Sequence, residues 1–377
     1  MTIYKKLNAD QTQQKTILHE QIPITGSIVA GTYGTFPSES NVRYYTSGDY
    51  ILVADYPIAS SSANNLFTIA VGQSDDVNAN AKAISQLAKK QNIYRLYAQQ
   101  FVGYDLDQEH VPFNVSGVLN PASLFRGPYT TFGPRYPDAI FFDFDRVIAK
   151  DGIQKGTFQL QIGTGSFAGP FTALASGENV IKTFSDAYVN PEDPATYRSN
   201  SPMGDYAFLQ QGTGTTVPSN SDVGFIFYDA GLVVIPCTTK MFGEELLSSS
   251  ISPTKDGAGG GTAMSPEPAL LSASINNITA GVRAHINNIQ FNNNVELNST
   301  YYFCRANHGE FNFSSNPSFT SGSKMVVKNN ANDPSVAYIT SVGLYDDENQ
   351  LLAVAKLNTP LQKDPNQEIT LRVRLDY

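Results

Sequence analysis

From Glu368 to its last residue the chain alternates apolar and polar side chains without a break. Ile369, Leu371, Val373, Leu375 and Tyr377 fall on one side; Thr370, Arg372, Arg374 and Asp376 fall on the other. A period of two lines up like residues on one face of an extended strand, whereas a helix would scatter them around its circumference. One apolar and one polar face points to an antiparallel sheet with one wet side. Upstream, 336–345 and 351–357 are two apolar runs separated by the turn residues Asp346-Asp347-Glu348-Asn349, which predicts a hairpin. The expectation is a C-terminal antiparallel sheet domain whose last strand is paired and buries its apolar face.

Composition extends this reading to the whole chain. Charged residues are only 16% of the 377, against roughly 25% in an average domain. Twenty Tyr and 22 Phe with no Trp make a strand-favouring aromatic profile. At about 150 residues per domain, the length suggests two or three domains. A net charge of −9 argues against binding to phosphate backbones or anionic membrane surfaces. Cys237 and Cys304 are too few for a disulfide framework or a cysteine-only metal site. Cys304, following Tyr301-Tyr302-Phe303, reads as a buried small hydrophobe. Residues 1–8 lack an apolar core of signal-peptide length, and no run approaches the roughly 18 apolar residues of a membrane span. The expected product is soluble and made in a cytoplasm.

The fold class predicted is mainly β with one long α-helix, multi-domain, built of antiparallel sheets or a β-sandwich. Residues 1–60 read as an N-terminal arm. Residues 61–247 read as a β-rich domain carrying a helix over 80–102, with Ile84, Leu87, Tyr94, Tyr97 and Phe101 on one helical face. Lys90 falls on that apolar face and breaks its pattern, and Gly103 closes the helix. Residues 139–148 and 157–162 read as a half-buried hairpin, and Phe225–Tyr228 and Leu232–Ile235 read as strands joined by the turn Asp229-Ala230-Gly231. Residues 248–268, with Gly259-Gly260-Gly261, Pro266 and Pro268, read as a flexible Gly/Pro loop. Residues 269–377 form the C-terminal antiparallel β domain, opening on a short helix over 274–289.

Candidate chemistry is sparse. Asp105-Leu106-Asp107-Gln108-Glu109-His110 resembles the start of a calcium loop, but its sixth and twelfth positions hold His110 and Ser116 instead of glycine and a carboxylate. Asp143 and Asp145 share a strand face, which also suits the wet side of a half-buried strand. Gly163-Thr164-Gly165 and Gly212-Thr213-Gly214 lack the following helix and lysine of a phosphate loop. His19, His110, His285 and His308 show no zinc spacing, and there is no Gly-X-Ser-X-Gly elbow. No catalytic residue, cofactor or metal is expected.

One long stretch carries a resemblance. Glu296-Leu297-Asn298-Ser299-Thr300-Tyr301-Tyr302-Phe303-Cys304-Arg305-Ala306-Asn307-His308 leads into Glu310-Phe311-Asn312-Phe313-Ser314-Ser315-Asn316-Pro317-Ser318-Phe319, then into 336–345, 351–357 and 372–377. It resembles the C-terminal region of virion structural proteins of large contractile-tailed bacteriophages, of the kind infecting marine cyanobacteria. Ile22-Pro23-Ile24-Thr25-Gly26, Gly31-Thr32-Tyr33-Gly34-Thr35-Phe36-Pro37 and Gly163-Thr164-Gly165-Ser166-Phe167 resemble the same group. The resemblance implies a non-enzymatic structural subunit of the virion tail. The baseplate is its leading place; its partners are other phage structural proteins, in a homo-oligomer or symmetric ring. A neck or collar component, a capsid decoration protein and a carbohydrate-binding receptor module are the alternatives; the lack of Trp weighs against the last. Phe311, Phe313, Pro317 and Phe319 are the candidate interface, an extended aromatic element able to dock beside a neighbour's sheet. The competing reading is an internal strand and turn of the same domain.

Overall fold

The computed structural model describes residues 4–8, 13–20, 26–29, 39–45, 48–74, 85–104, 111–115, 117, 136–164, 180–218, 223–243, 246, 266–314, 319–322, 324–326, 329–332 and 336–376. The chain is mainly β, in several antiparallel sheets. It divides into two compact units, Gln21–Val295 and a second made of Met1–Glu20 with Glu296–Tyr377. Neither boundary falls at 248–268 or at residue 60, where the sequence suggests breaks.

In the larger unit an eight-stranded sheet runs Arg198–Ser201, Gly204–Phe208, Phe225–Phe227, Leu232–Pro236, Asp138–Phe144, Asn65–Gln73, Tyr50–Ala54, Val42–Tyr44. A five-stranded sheet runs Gln210–Gln211, Val180–Ser185, Gln159–Thr164, Ile286–Phe291, Gly26–Val29. Five helices occur among the described residues: α1 (Ser85–Phe101), α2 (Arg146–Ala149), α3 (Thr239–Phe242), α4 (Pro266–Ser272) and α5 (Ile275–His285). The expected single long helix is thus one of five, its described part spanning 17 residues; 80–84 lie outside the described residues.

The central strands explain the layering. Ala139, Ile140, Phe141 and Phe142 are all buried, so Asp138–Phe144 has no wet face until Asp143. The half-buried hairpin read over 139–162 is corrected here. Phe141 stacks on Tyr97 at 4.1 Å under α1, while Phe144, on the opposite face, meets Phe158 and Phe291 of the second sheet at 6.2 and 4.9 Å. Helix, sheet and sheet therefore form three layers around one aromatic core. Asp138–Phe144 pairs with Asn65–Gln73 and Leu232–Pro236, whereas Gln159–Thr164 belongs to the other sheet. Asp145 redirects the chain between them: its carboxylate accepts the Val147 N–H at 2.9 Å and caps α2.

Helix α1 lies unusually close to the sheet. A Cβ on Gly72 would meet the Tyr94 backbone at 2.9 Å, so only glycine admits the helix at this distance. The end of α1 is as read from sequence, with Gly103 at φ 103°. The Phe225/Leu232 hairpin also forms, Phe227 opposite Leu232 and Gly231 at φ 66°. Helix α5 stops at His285, and Ile286–Phe291 is a strand, so the helix read over 274–289 is too long. Ile286 continues the helical spacing but takes an extended conformation, and the Asn287-Asn288 pair that follows disfavours helix.

In the smaller unit Asn293–Ala306 pairs with the last strand, Ile369–Asp376, in an unbroken register from Ser299↔Asp376 to Ala306↔Ile369. Gln13–Glu20 lies on its other side. Ala337–Tyr345 and Leu351–Lys363 form the expected hairpin, turned at Asn349 with φ 65°. The last strand alternates as read, but its apolar residues are half-buried, not buried. Tyr377 lies outside the described residues.

Candidate functional site

The most strongly perturbed groups gather in the larger unit around Asp186. This side chain is 0% exposed. Its Oδ1 accepts the Phe158 N–H at 2.9 Å; its Oδ2 accepts the Gly156 N–H at 2.8 Å and the Tyr228 hydroxyl at 2.7 Å. Burial pushes the carboxyl up to about 6 against the pull of these three donors. Burial likewise drives the Tyr228 phenol well above its ordinary value. Nearby, Lys155 pairs with Asp205 at 2.6 Å and lies 4.0 Å from the Tyr197 ring centroid. Tyr188 completes the group: its hydroxyl donates to the Phe208 carbonyl at 2.9 Å and accepts the Phe208 N–H at 3.1 Å. That is the point where the chain leaves the eight-stranded sheet to enter the five-stranded one. A general base needs a face open to substrate. Asp186 has none, and its three donors lie in the turns and loops that flank the strands, so the cluster ties those loops to one another.

A second buried cation explains the flaw in the α1 pattern. Lys90 is 0% exposed and donates to the carbonyls of Leu270 and Ala273, at and just beyond the C-terminal end of α4. Burial lowers its amine to about 8. Its charge offsets the negative end of a helix 180 residues away in sequence, a contact no local pattern announces.

The chemistry weighed from sequence distributes as follows. Asp143 is exposed at its strand end, and Asp145 is the α2 cap, so they serve different local roles. His285 is buried beside Phe242 with Nδ1 on the Gly163 carbonyl, while His308 lies in the smaller unit. Residues 105–110 and Gly165 lie outside the described residues. Cys237 is buried; Cys304 is half-buried, less than its aromatic context suggests, and burial still raises its thiol. Among the described residues no group of three His, Cys, Asp or Glu side chains is placed to hold a metal. No described helix is long and apolar enough to cross a membrane.

The candidate interface residues lie in the smaller unit. Phe311 has φ 56° and begins no strand. The Phe313 and Phe319 rings meet edge to face, 6.5 Å apart, with Phe313 48% exposed. Pro317 lies outside the described residues. The segment is pinned by its neighbours: Lys363 Nζ donates to Asn312 Oδ1 at 2.7 Å, and Lys5 pairs with Glu310 at 2.6 Å.

Sequence reading did not anticipate how little this unit buries. Among its described residues the buried apolar side chains are Ala306 and Ala337 alone. Tyr338, Tyr345, Leu351, Leu352, Val354 and Leu361, all on the hairpin, are exposed. The signal was present in 351–357, where Lys356 is the one polar residue among seven. No protein-family model, curated protein or solved structure matches the chain.

Proposed function

We propose that this chain is a structural subunit of a contractile-tailed phage virion, placed in the baseplate, which acts by holding neighbouring subunits together. The observation that carries the reading is the imbalance in the smaller unit. A unit of this size ordinarily folds around its own apolar core. Among its described residues two alanines are the buried apolar side chains, while six large apolar side chains of one hairpin are exposed. Exposed apolar surface concentrated on one element marks an interaction site. The resemblance of 296–319, 336–345, 351–357 and 372–377 to virion proteins supports the same reading and names the kind of assembly. The test is a reconstruction of purified virions combined with antibody against the 351–363 strand. Label at the distal end of the tail is expected. A chain abundant in infected cells but missing from purified virions would refute it.

A further inference from the structure

We infer that the outer face of the 337–363 hairpin is covered by a second copy of this chain, docked about a two-fold axis. The inference rests on the assembly reading above and names one partner within it.

The face is defined by cross-strand pairs. Ser341 is opposite Lys356, Gly343 opposite Val354 and Tyr345 opposite Leu351. The Tyr345 ring folds over Gly343, where an added Cβ would meet it at 2.9 Å and Leu351 Cδ1 at 3.3 Å. Tyr4 stands edge-on to Tyr345 at 4.8 Å. Leu352 is the extra residue of a bulge between the Leu344 and Tyr345 pairs. Tyr4, Leu351, Leu352 and Val354 are 50%, 52%, 68% and 53% exposed. With Tyr345 they expose on the order of 500 Å², the upper range for the largest patch on a monomer. The polar ends of the strip bring this toward the roughly 800 Å² per partner of a standard interface.

Charge selects the occupant. The strip carries Lys356 at one end and the Asp346-Asp347-Glu348 turn at the other, with no charge between. Lys6 reaches Asp347 at 4.0 Å, an exposed pair that leaves the turn net acidic. A two-fold perpendicular to the strip runs the two copies antiparallel, which sets each Lys356 toward the other's acidic turn. A parallel bundle would crowd the acidic turns together, and juxtaposed like charges are penalised. The strip is therefore complementary to itself, as an isologous contact requires. A two-stranded hairpin is marginal alone in water, so it needs its cover as it folds. The partner always present during synthesis is another copy of the same chain.

The test is sedimentation equilibrium of the purified full chain across the micromolar range. A dimer is expected. Leu351→Asp combined with Val354→Asp should weaken it on the order of a hundredfold or more. Lys356→Glu alone should weaken it, and adding Glu348→Lys should recover most of that loss. The two positions sit at opposite ends of the apolar strip, Lys356 within its strand and Glu348 in the turn, so recovery reports contact between copies. Should the apolar pair disturb folding, the exposed Lys356 and Glu348 variants carry the test. A monomer throughout, a trimer, a dimer indifferent to the apolar pair, or failure of the double reversal to recover would each overturn the inference. A monomer still found in virions would sink the two-fold contact and leave the proposed function standing. A dimer missing from virions would do the reverse.

Discussion

Asp186 offers a direct contest between desolvation and hydrogen bonding, and Asp186→Asn decides it. With its carboxyl raised to about 6 in the folded chain, against about 3.9 unfolded, the native state binds more protons between those values. Stability contributed by this group is therefore present below pH 4 and lost as pH rises through 6. Two pK units correspond to about 3 kcal/mol. Asparagine does not titrate, but its amide NH₂ must face one of the three donors from Gly156, Phe158 and Tyr228. That mismatch costs about 1 to 3 kcal/mol at any pH. Wild type should thus exceed the variant by a clear margin at pH 4, and the two should converge or cross by pH 7.5. Urea unfolding followed by far-UV circular dichroism reads this, since the chain has no Trp. Taking the difference between the two proteins removes every other titrating group. A constant gap would mean that Asp186 titrates alike in both states. A gap that widens with pH would mean that the three donors outweigh burial, and the argument would be refuted.

Lys90 has the opposite sign: its amine is near 8 folded and about 10.4 unfolded, so wild-type stability should rise between those pH values, and Lys90→Met should flatten the rise. Gly72→Ala drives a methyl into the Tyr94 backbone and should cost about 1 to 3 kcal/mol in urea unfolding, while Gly214→Ala, which meets only a flexible side chain, should be near neutral. Equal effects of these two would mean that α1 yields freely. In the smaller unit Leu371→Asp should destabilise far more than Arg372→Ser, because Leu371 is half-buried opposite Cys304 and Arg372 lies exposed over the Tyr301 ring. Equal tolerance by limited proteolysis would remove the half-buried strand.

The legible parts of the sequence were those whose causes are local. The alternation through Ile369–Asp376, the Asp229-Ala230-Gly231 turn and the Tyr94/Phe101 face of α1 each state their own structure. What stayed hidden depends on distant partners. Asp138–Phe144 is buried on both faces because a helix covers one and a sheet the other, so its Asp143/Asp145 alternation misled. Ile286 kept helical spacing yet joined a strand beside Gln159–Thr164. Lys90 appeared a defect until α4 supplied its carbonyls. Of the candidate site, Phe313 and Phe319 do come together, whereas the apolar run 351–357 shows the content of the exposed hairpin face but not its exposure, which packing decides.

Tyr188 occupies a turn, the kind of position usually counted as free to vary. Yet its phenol stands in for a missing strand, answering both backbone groups of Phe208 where the chain changes sheets. Phenylalanine keeps the shape and loses both bonds; tryptophan donates but does not accept, and histidine splits the two roles between separate ring nitrogens. In a library of all substitutions, this turn should show one intolerant column near permissive, exposed positions such as Glu192. A map of tolerance would then trace the seam between the two sheets through a residue that belongs to neither.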